Sequence, residues 1–149
     1  MDVKTKAGKT VSVDNDHILN FPEGLFGFEL YHNYAIYDSE YPPFMWMQSI
    51  EDQKLAFLVV DPFLICNDYE LDVDDKSLFK IGIKSPSDVF VMSIVTIPQG
   101  EGPVTANLQG PIIVNKNTKE CLQVILNSNR WTTKHDIIKA LKSREGGSC

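Results

Sequence analysis

An apolar stretch near the middle of the chain reads VFVMSIV at residues 89–95. Two further stretches have the same character, LAFLVV at residues 55–60 and PIIV at residues 111–114. Side chains of a strand alternate between the two faces of a sheet, so a strand that lacks polar alternation is buried on both faces. We therefore expect a sheet that curls on itself, or one whose outer face is covered by a loop or a helix.

Short runs rich in Val, Ile, Phe and Tyr surround these stretches and are separated by turn residues. This spacing is typical of antiparallel all-β proteins. It predicts about eleven strands and, as the fold class, an antiparallel β-barrel-like domain or a closed two-sheet sandwich. The predicted strands cover residues 10–13, 17–21, 34–37, 45–50, 55–60, 69–73, 79–83, 90–97, 105–108, 112–115 and 121–126.

One short helix is predicted at the C-terminal end, over residues 134–143. Thr133 is a suitable N-cap, and Asp136 stands three residues later, at the acidic position of a capping box. The apolar positions follow helical spacing and are Ile137, Ile138 and Leu141. Such a stripe either closes one end of a barrel or binds a partner. We expect a single domain over residues 1–143 and a flexible tail over residues 144–149.

The chain has 149 residues, with 14 basic and 20 acidic side chains and a formal net charge of −6. An acidic chain repels the phosphate backbone, so we expect no direct nucleic-acid binding and favour a basic protein partner. The apolar runs are far shorter than the roughly 20 residues that span a bilayer. The first residues, MDVKTKAGK, lack the apolar segment of a secretory signal. We expect a cytoplasmic protein that does not bind membranes.

Sequence signatures of catalysis and of metal binding are missing. His17, His32 and His135 lie in separate segments, and the three cysteines have no CxxC spacing. Neither the nucleophile-elbow motif nor the glycine motifs that bind phosphate occur. We expect no enzyme activity, no cofactor and no metal.

Two alternative functions remain open at the level of sequence. A flavin-dependent enzyme on a split barrel needs a phosphate-binding set, for which Lys84, Ser85 and Ser87 are the candidates. Direct RNA binding needs exposed aromatic residues among basic ones on a sheet. The aromatic block at residues 21–41 contains no Lys or Arg, which argues against RNA binding.

Acidic residues occupy every second position of one predicted strand. In a strand this spacing places all four carboxylates on one face. Repulsion among the four carboxylates lowers the stability of the free protein, whereas a basic partner would be attracted to them. A solvated face, or a charged edge that prevents aggregation, would have the same pattern. The four residues are Asp68, Glu70, Asp72 and Asp74.

A loop rich in aromatic residues follows the predicted turn FPEG at residues 21–24. Leu25, Phe26 and Phe28 lie between glycines and the polar residues that follow. They are either core residues or the exposed wall of an apolar groove that receives a peptide.

Three blocks of sequence together resemble a known family. They are FPEGLFGFE from residue 21, PFMWMQSIEDQKLAFLVVDPF at residues 43–63 and VTANLQGPIIVN at residues 104–115. Their order and spacing look like those of the flagellar assembly factor FliW family. The resemblance covers roughly residues 11–136, and the combination of the blocks is more specific than any one of them.

The resemblance implies a non-enzymatic cytoplasmic factor, which we expect to be a monomer. Members of the family bind flagellin before export. They also bind the translational repressor CsrA and keep it from flagellin mRNA, and the two partners exchange. We expect the acidic residues Asp68, Glu70, Asp72 and Asp74 to bind CsrA. The residues expected to bind flagellin are Leu25, Phe26, Phe28, Asn107 and Pro111.

Overall fold

The computed structural model describes residues 1–138, which are mostly β with two short helices. The strands are β1 (Asp2–Lys4), β2 (Thr10–Ser12), β3 (Ile18–Asn20), β4 (Asn33–Asp38), β5 (Met45–Ser49), β6 (Ala56–Val60), β7 (Val89–Thr96), β8 (Thr105–Ala106), β9 (Ile112–Asn115), β10 (Cys121–Gln123) and β11 (His135–Asp136). The helices are α1 (Pro62–Ile65) and α2 (Asp75–Lys80), and single 3-10 turns cover Asn15–His17 and Pro86–Asp88.

Most of the strands belong to one antiparallel sheet. Its order is β10, β9, β7, β6, β5, β4 and β3, while β8 pairs with β7 and β11 pairs with β8. The strands β1 and β2 form a separate hairpin that packs on one end of the sheet through Val3, Val13 and Ala35. The antiparallel, mostly β fold is the one that the alternation of apolar runs and turns predicts.

Strand β7 pairs with three other strands of the sheet. Its first half, up to Met92, pairs with β9, and its second half pairs with β6 and β8. Val91 and Met92 are adjacent and therefore point to opposite faces, yet both are buried, in two different apolar clusters. The expectation that this stretch is covered on both faces is confirmed.

The two ends of the sheet approach one another without forming a ladder. An isolated parallel bridge joins Asn20 of β3 to Glu120, and the N–H of Asn20 donates to the carbonyl oxygen of Lys119 at 2.9 Å. Beyond this bridge, no further strand pairing joins the two ends within the described residues. Within residues 1–138 the sheet is therefore not closed into a barrel, contrary to the predicted closure.

Residues 68–83 differ from the prediction. Strands were expected at residues 69–73 and 79–83, but the first stretch has no regular structure and the second is the end of α2 and a turn. The Oδ1 of Asp74 accepts a hydrogen bond from the N–H of Ser77 at 2.7 Å and caps α2. Such a side-chain bond to the backbone competes with strand formation and favours a helix start.

The start of the predicted C-terminal helix is wrong, whereas residues 137–138 are helical. His135 and Asp136 pair with Ala106 and Thr105 as β11, and the N–H of Ile137 donates to the carbonyl oxygen of Val104 at 3.0 Å. The rest of that prediction, residues 139–143, and the predicted tail, residues 144–149, lie outside the described residues. Across the part of the chain that is described, no helix has the length and apolar character needed to cross a membrane.

Candidate functional site

The aromatic loop begins with a tight turn that requires glycine. The N–H of Gly24 donates to the carbonyl oxygen of Phe21 at 3.0 Å and closes the turn. Gly24 has a φ of +72°, and a Cβ added there would lie 2.6 Å from the Cα of Glu29. Any side chain would collide with this backbone, so only glycine lets the loop double back so closely. The close approach fixes the path of residues 25–29.

The apolar residues of the loop differ in exposure. Leu25 is 1 % exposed and belongs to the main core, so of the two alternatives it is a core residue. Phe26 is 55 % exposed, and Phe28 is 37 % exposed with its ring packed edge-to-face on Phe57 at 5.2 Å between centroids. Leu30, further along the loop, is more exposed than any of these. The loop therefore presents a supported apolar surface.

One side chain, Gln123, joins the aromatic loop to the turn at residues 107–111. Its Oε1 accepts a hydrogen bond from the N–H of Phe26 at 3.0 Å, and its Nε2 donates to the carbonyl oxygen of Gly110 at 3.0 Å. The N–H of Gly110 donates in turn to Oδ1 of Asn107 at 2.8 Å. These bonds hold together two segments that are far apart in sequence.

An apolar cleft of about 390 Å³ lies beside the loop, and we call it the aromatic cleft. It brings together four of the five residues expected to bind flagellin. The fifth, Pro111, is buried and is not among the described lining residues. The other lining residues are ones that the sequence did not predict to bind flagellin. The principal lining residues are Leu25, Phe26, Phe28, Phe57, Ile94, Asn107 and Ile125.

The four acids at alternate positions lie in a segment without regular structure and not in a strand. Asp68 forms an ion pair with Arg130, and Asp74 caps α2. The hydrogen bond from the backbone N–H of Ser77 holds the pKa of the Asp74 carboxyl below its usual value. The other two acids are exposed. The strand predicted to carry the four carboxylates is therefore wrong, and two of the acids have local partners.

A second cleft, of about 640 Å³, is lined by four carboxylates, and we call it the acidic cleft. Two of the four come from the aromatic loop and two from the segment before α2. Lys80 is the one cation among the described lining residues, and its Nζ lies 3.5 Å from Oε1 of Glu23. The four acids are Glu23, Glu29, Asp72 and Asp74. Nothing in the sequence pattern pointed to Glu23 and Glu29, since only the fold brings them next to residues 72–74.

The two clefts share a wall. Phe26, Gln123 and Ile125 line both of them. Ile125 is 57 % exposed, so it adds apolar surface beside the ring of Phe26. Any displacement of this wall changes the shape of both clefts.

A third cleft, of about 500 Å³, lies on the opposite face of the central strands. Trp46 and Leu58 line it, while their neighbours Met47 and Val59 point into the main core. Its described lining includes Ile137 and Ile138 of the predicted apolar stripe but none of the residues expected to bind CsrA or flagellin.

Burial shifts the pKa of two side chains that could be reactive. Burial raises the pKa of the Cys121 thiol and lowers the pKa of His135. The Oγ of Ser85 caps the turn Pro86–Asp88, which places one of the predicted phosphate ligands in a local backbone contact. Within residues 1–138, no group of three or more His, Cys, Asp or Glu side chains is arranged to hold a metal ion.

A mostly β fold with an aromatic and an acidic cleft side by side defines a protein whose surfaces suit protein partners. Comparison with known families gives a specific result. The family model described as "FliW protein" matches residues 2–137. The chain belongs to the FliW family of flagellar assembly factors, as the three sequence blocks predict.

Relatives from two spirochaetes are similar over nearly their whole length. The flagellar assembly factor FliW of Treponema denticola is 49 % identical over 143 residues, which cover 96 % of this chain and 97 % of the relative. The FliW of Treponema pallidum is 46 % identical over 144 residues, which cover 97 % and 96 %. A solved structure described as a crystal structure of the flagellar assembly factor FliW superposes with a TM-score of 0.82. It is 31 % identical and covers 92 % of this chain and 96 % of its own.

Proposed function

We propose that this protein binds unexported flagellin and the translational repressor CsrA, and so relieves CsrA repression of flagellin mRNA. It acts in the cytoplasm as a monomer and carries out no catalysis. Membership of the FliW family supports the role in flagellar assembly, and the two clefts offer a surface for each partner.

Flagellin is assigned to the aromatic cleft. The ends of unassembled flagellin resemble disordered amphipathic helices, which need an apolar groove. Phe26 and Phe28 supply exposed aromatic surface, and Phe57 supports the ring of Phe28. Leu25 acts from within the core, and Asn107 and Pro111 shape the neighbouring turn.

CsrA is assigned to the acidic cleft. A surface that binds RNA must be basic, since phosphate contacts dominate affinity. Carboxylates attract such a surface over a Debye length of about 8 Å at physiological salt. Asp72 and Asp74 line the cleft and Glu70 is exposed nearby in sequence, whereas Asp68 is held by its ion pair with Arg130.

The observation that carries the proposal is the wall of Phe26, Gln123 and Ile125 that the two clefts share. A standard interface takes about 800 Å² from each partner. Two partners of that size cannot both cover this wall, so flagellin and CsrA exclude one another.

Calorimetric titration with purified flagellin and purified CsrA, singly and together, tests the proposal. We expect each protein to bind alone, and saturating flagellin to abolish the heat of CsrA binding. Failure of either protein to bind alone would contradict the assignment of partners. A stable ternary complex in size-exclusion chromatography would contradict their mutual exclusion.

A further inference from the structure

Among the described residues, the outer edge of β10 and of the residues that follow it has no strand partner. The N–H groups of Val124 and Leu126 donate to carbonyl oxygens of residues 111 and 109, at 3.0 and 2.8 Å, and so continue the pairing of β10. Backbone groups in an antiparallel ladder alternate in direction, so those of Gln123 and Ile125 point away from it. Within the described residues, neither N–H donates to a backbone oxygen elsewhere.

This free edge lies in the acidic cleft, between two walls. Leu122 and Val124 pack against Val73 on one side, in the segment that carries Asp72 and Asp74. On the other side, the side chain of Gln123 bonds to the aromatic loop. Residues 122–125 therefore line the cleft, where Ile125 is 57 % exposed and Gln123 is 8 % exposed.

We propose that an extended segment of a protein partner adds to this edge as a further strand, with basic side chains at alternate positions. Such strand addition takes its affinity from main-chain hydrogen bonds and its specificity from alternate side chains. Two outward-facing residues, Gln123 and Ile125, offer about four such bonds. The proposal rests on the proposed function in taking the partner of this cleft to be basic.

The choice of occupant follows from the two walls. A strand that pairs with Gln123 and Ile125 directs alternate side chains to opposite walls. Lysine or arginine on one side meets the carboxylates of Asp72 and Asp74. Apolar side chains on the other side meet Phe26 and the exposed side chain of Ile125.

The test uses a synthetic heptapeptide of alternating lysine and valine, blocked at both ends. We expect it to bind and to slow amide exchange at Gln123 and Ile125, as measured by NMR. Two further peptides carry N-methyl groups on every lysine or on every valine. One of them must bind at least about tenfold more weakly, because it cannot form the main-chain bonds. Equal binding of all three peptides, or no binding of the parent peptide, would overturn the proposal.

Variants of the chain provide a second test. Ile125→Pro removes an N–H that no ladder bond uses, a position at which a strand edge tolerates proline. We expect it to abolish peptide binding. Asp72→Lys should weaken binding about tenfold, while Glu101→Lys, at an exposed acid outside the cleft, should not. Equal effects of the two charge reversals would mean that the peptide senses only net charge.

Failure of this proposal is distinguishable from failure of the proposed function. If flagellin and CsrA bind Ile125→Pro as tightly as the parent, the strand-addition proposal is wrong and the proposed function stands. If neither protein binds the parent chain, the proposed function is wrong, and the peptide experiment alone decides the free edge.

Discussion

The N–H of Phe26 donates a hydrogen bond to the side-chain oxygen of Gln123, 97 residues later in the chain, at 3.0 Å. The bond fixes the backbone of the aromatic loop, while more than half of the Phe26 side chain stays exposed. The other end of the same side chain holds the carbonyl oxygen of Gly110. A single amide thus sets the position of the wall between the aromatic and acidic clefts.

Replacing this amide should weaken both the fold and binding. Gln123→Met keeps the length of the side chain but leaves the Gly110 carbonyl without its buried donor. We expect the free energy of unfolding to fall by about 1–3 kcal/mol, as for an unsatisfied buried polar group. Urea denaturation measures this loss, and calorimetry should show weaker flagellin binding. Unchanged stability would show that the amide does not hold the loop.

Phe26 and Leu25 should separate binding from stability. Phe26→Ala removes a largely exposed ring, so we expect less than about 1 kcal/mol of destabilisation and a clear loss of flagellin affinity. Leu25→Ala opens a cavity in the core and should cost about 2–5 kcal/mol. Urea denaturation of both variants, with flagellin titration of Phe26→Ala, checks the pair. A loss of stability for Phe26→Ala equal to that of Leu25→Ala would place the ring in the core.

Two glycines of the loop form a matched pair. Gly24 and Gly27 both have positive φ, but a Cβ meets backbone atoms only at Gly24, and Gly27 faces open space. Gly27→Ala should cost about 1–2 kcal/mol, the strain of a left-handed conformation. Gly24→Ala adds a collision with Glu29 and should cost at least about 1 kcal/mol more. Thermal and urea unfolding of the two variants give the comparison, and equal losses would argue against the close approach.

The cap of α2 predicts a pH effect. The pKa of Asp74 is lowered from its ordinary value of 3.8, mainly by the backbone hydrogen bond from Ser77. A depressed pKa stabilises the folded state above 3.8, and that contribution is lost as the pH falls through the folded-state pKa. We expect the amide of Ser77 to lose protection from exchange in that range. Asp74→Asn caps without titrating and should remove the effect, whereas Asp75→Asn should leave it in place.

The main strands could be predicted because their periodicity reflects burial directly. The runs that became β4, β5, β6, β7 and β9 are apolar enough that no other element would bury them as well. The segment at residues 68–74 shows the opposite case. Alternating acids predict a strand by period alone, but the hydrogen bond from Ser77 to Asp74 favours a helix start, and local capping prevailed.

The candidate site was predictable only in part. The composition of the aromatic loop indicates a candidate site. However, Leu25 and Phe26 are adjacent apolar residues, and only the direction of the turn decides which of them is buried. Glu23 and Gln123 carry no local signal, because their partners lie far away in sequence. No sequence pattern predicts the strand β11 either, because its two residues form a strand only by pairing with β8.

The pairing of β7 with β6 has a consequence for synthesis on the ribosome. Strand β6, which reads AFLVV, obtains its second neighbour only when β7 arrives, and β7 begins at Val89. At about 5–20 residues per second, a nascent chain spends seconds with this uncharged edge unpaired. Fragments that end between α1 and β7 should therefore aggregate. Once β7 has emerged from the ribosome, it pairs with β6 and covers the edge that would otherwise aggregate.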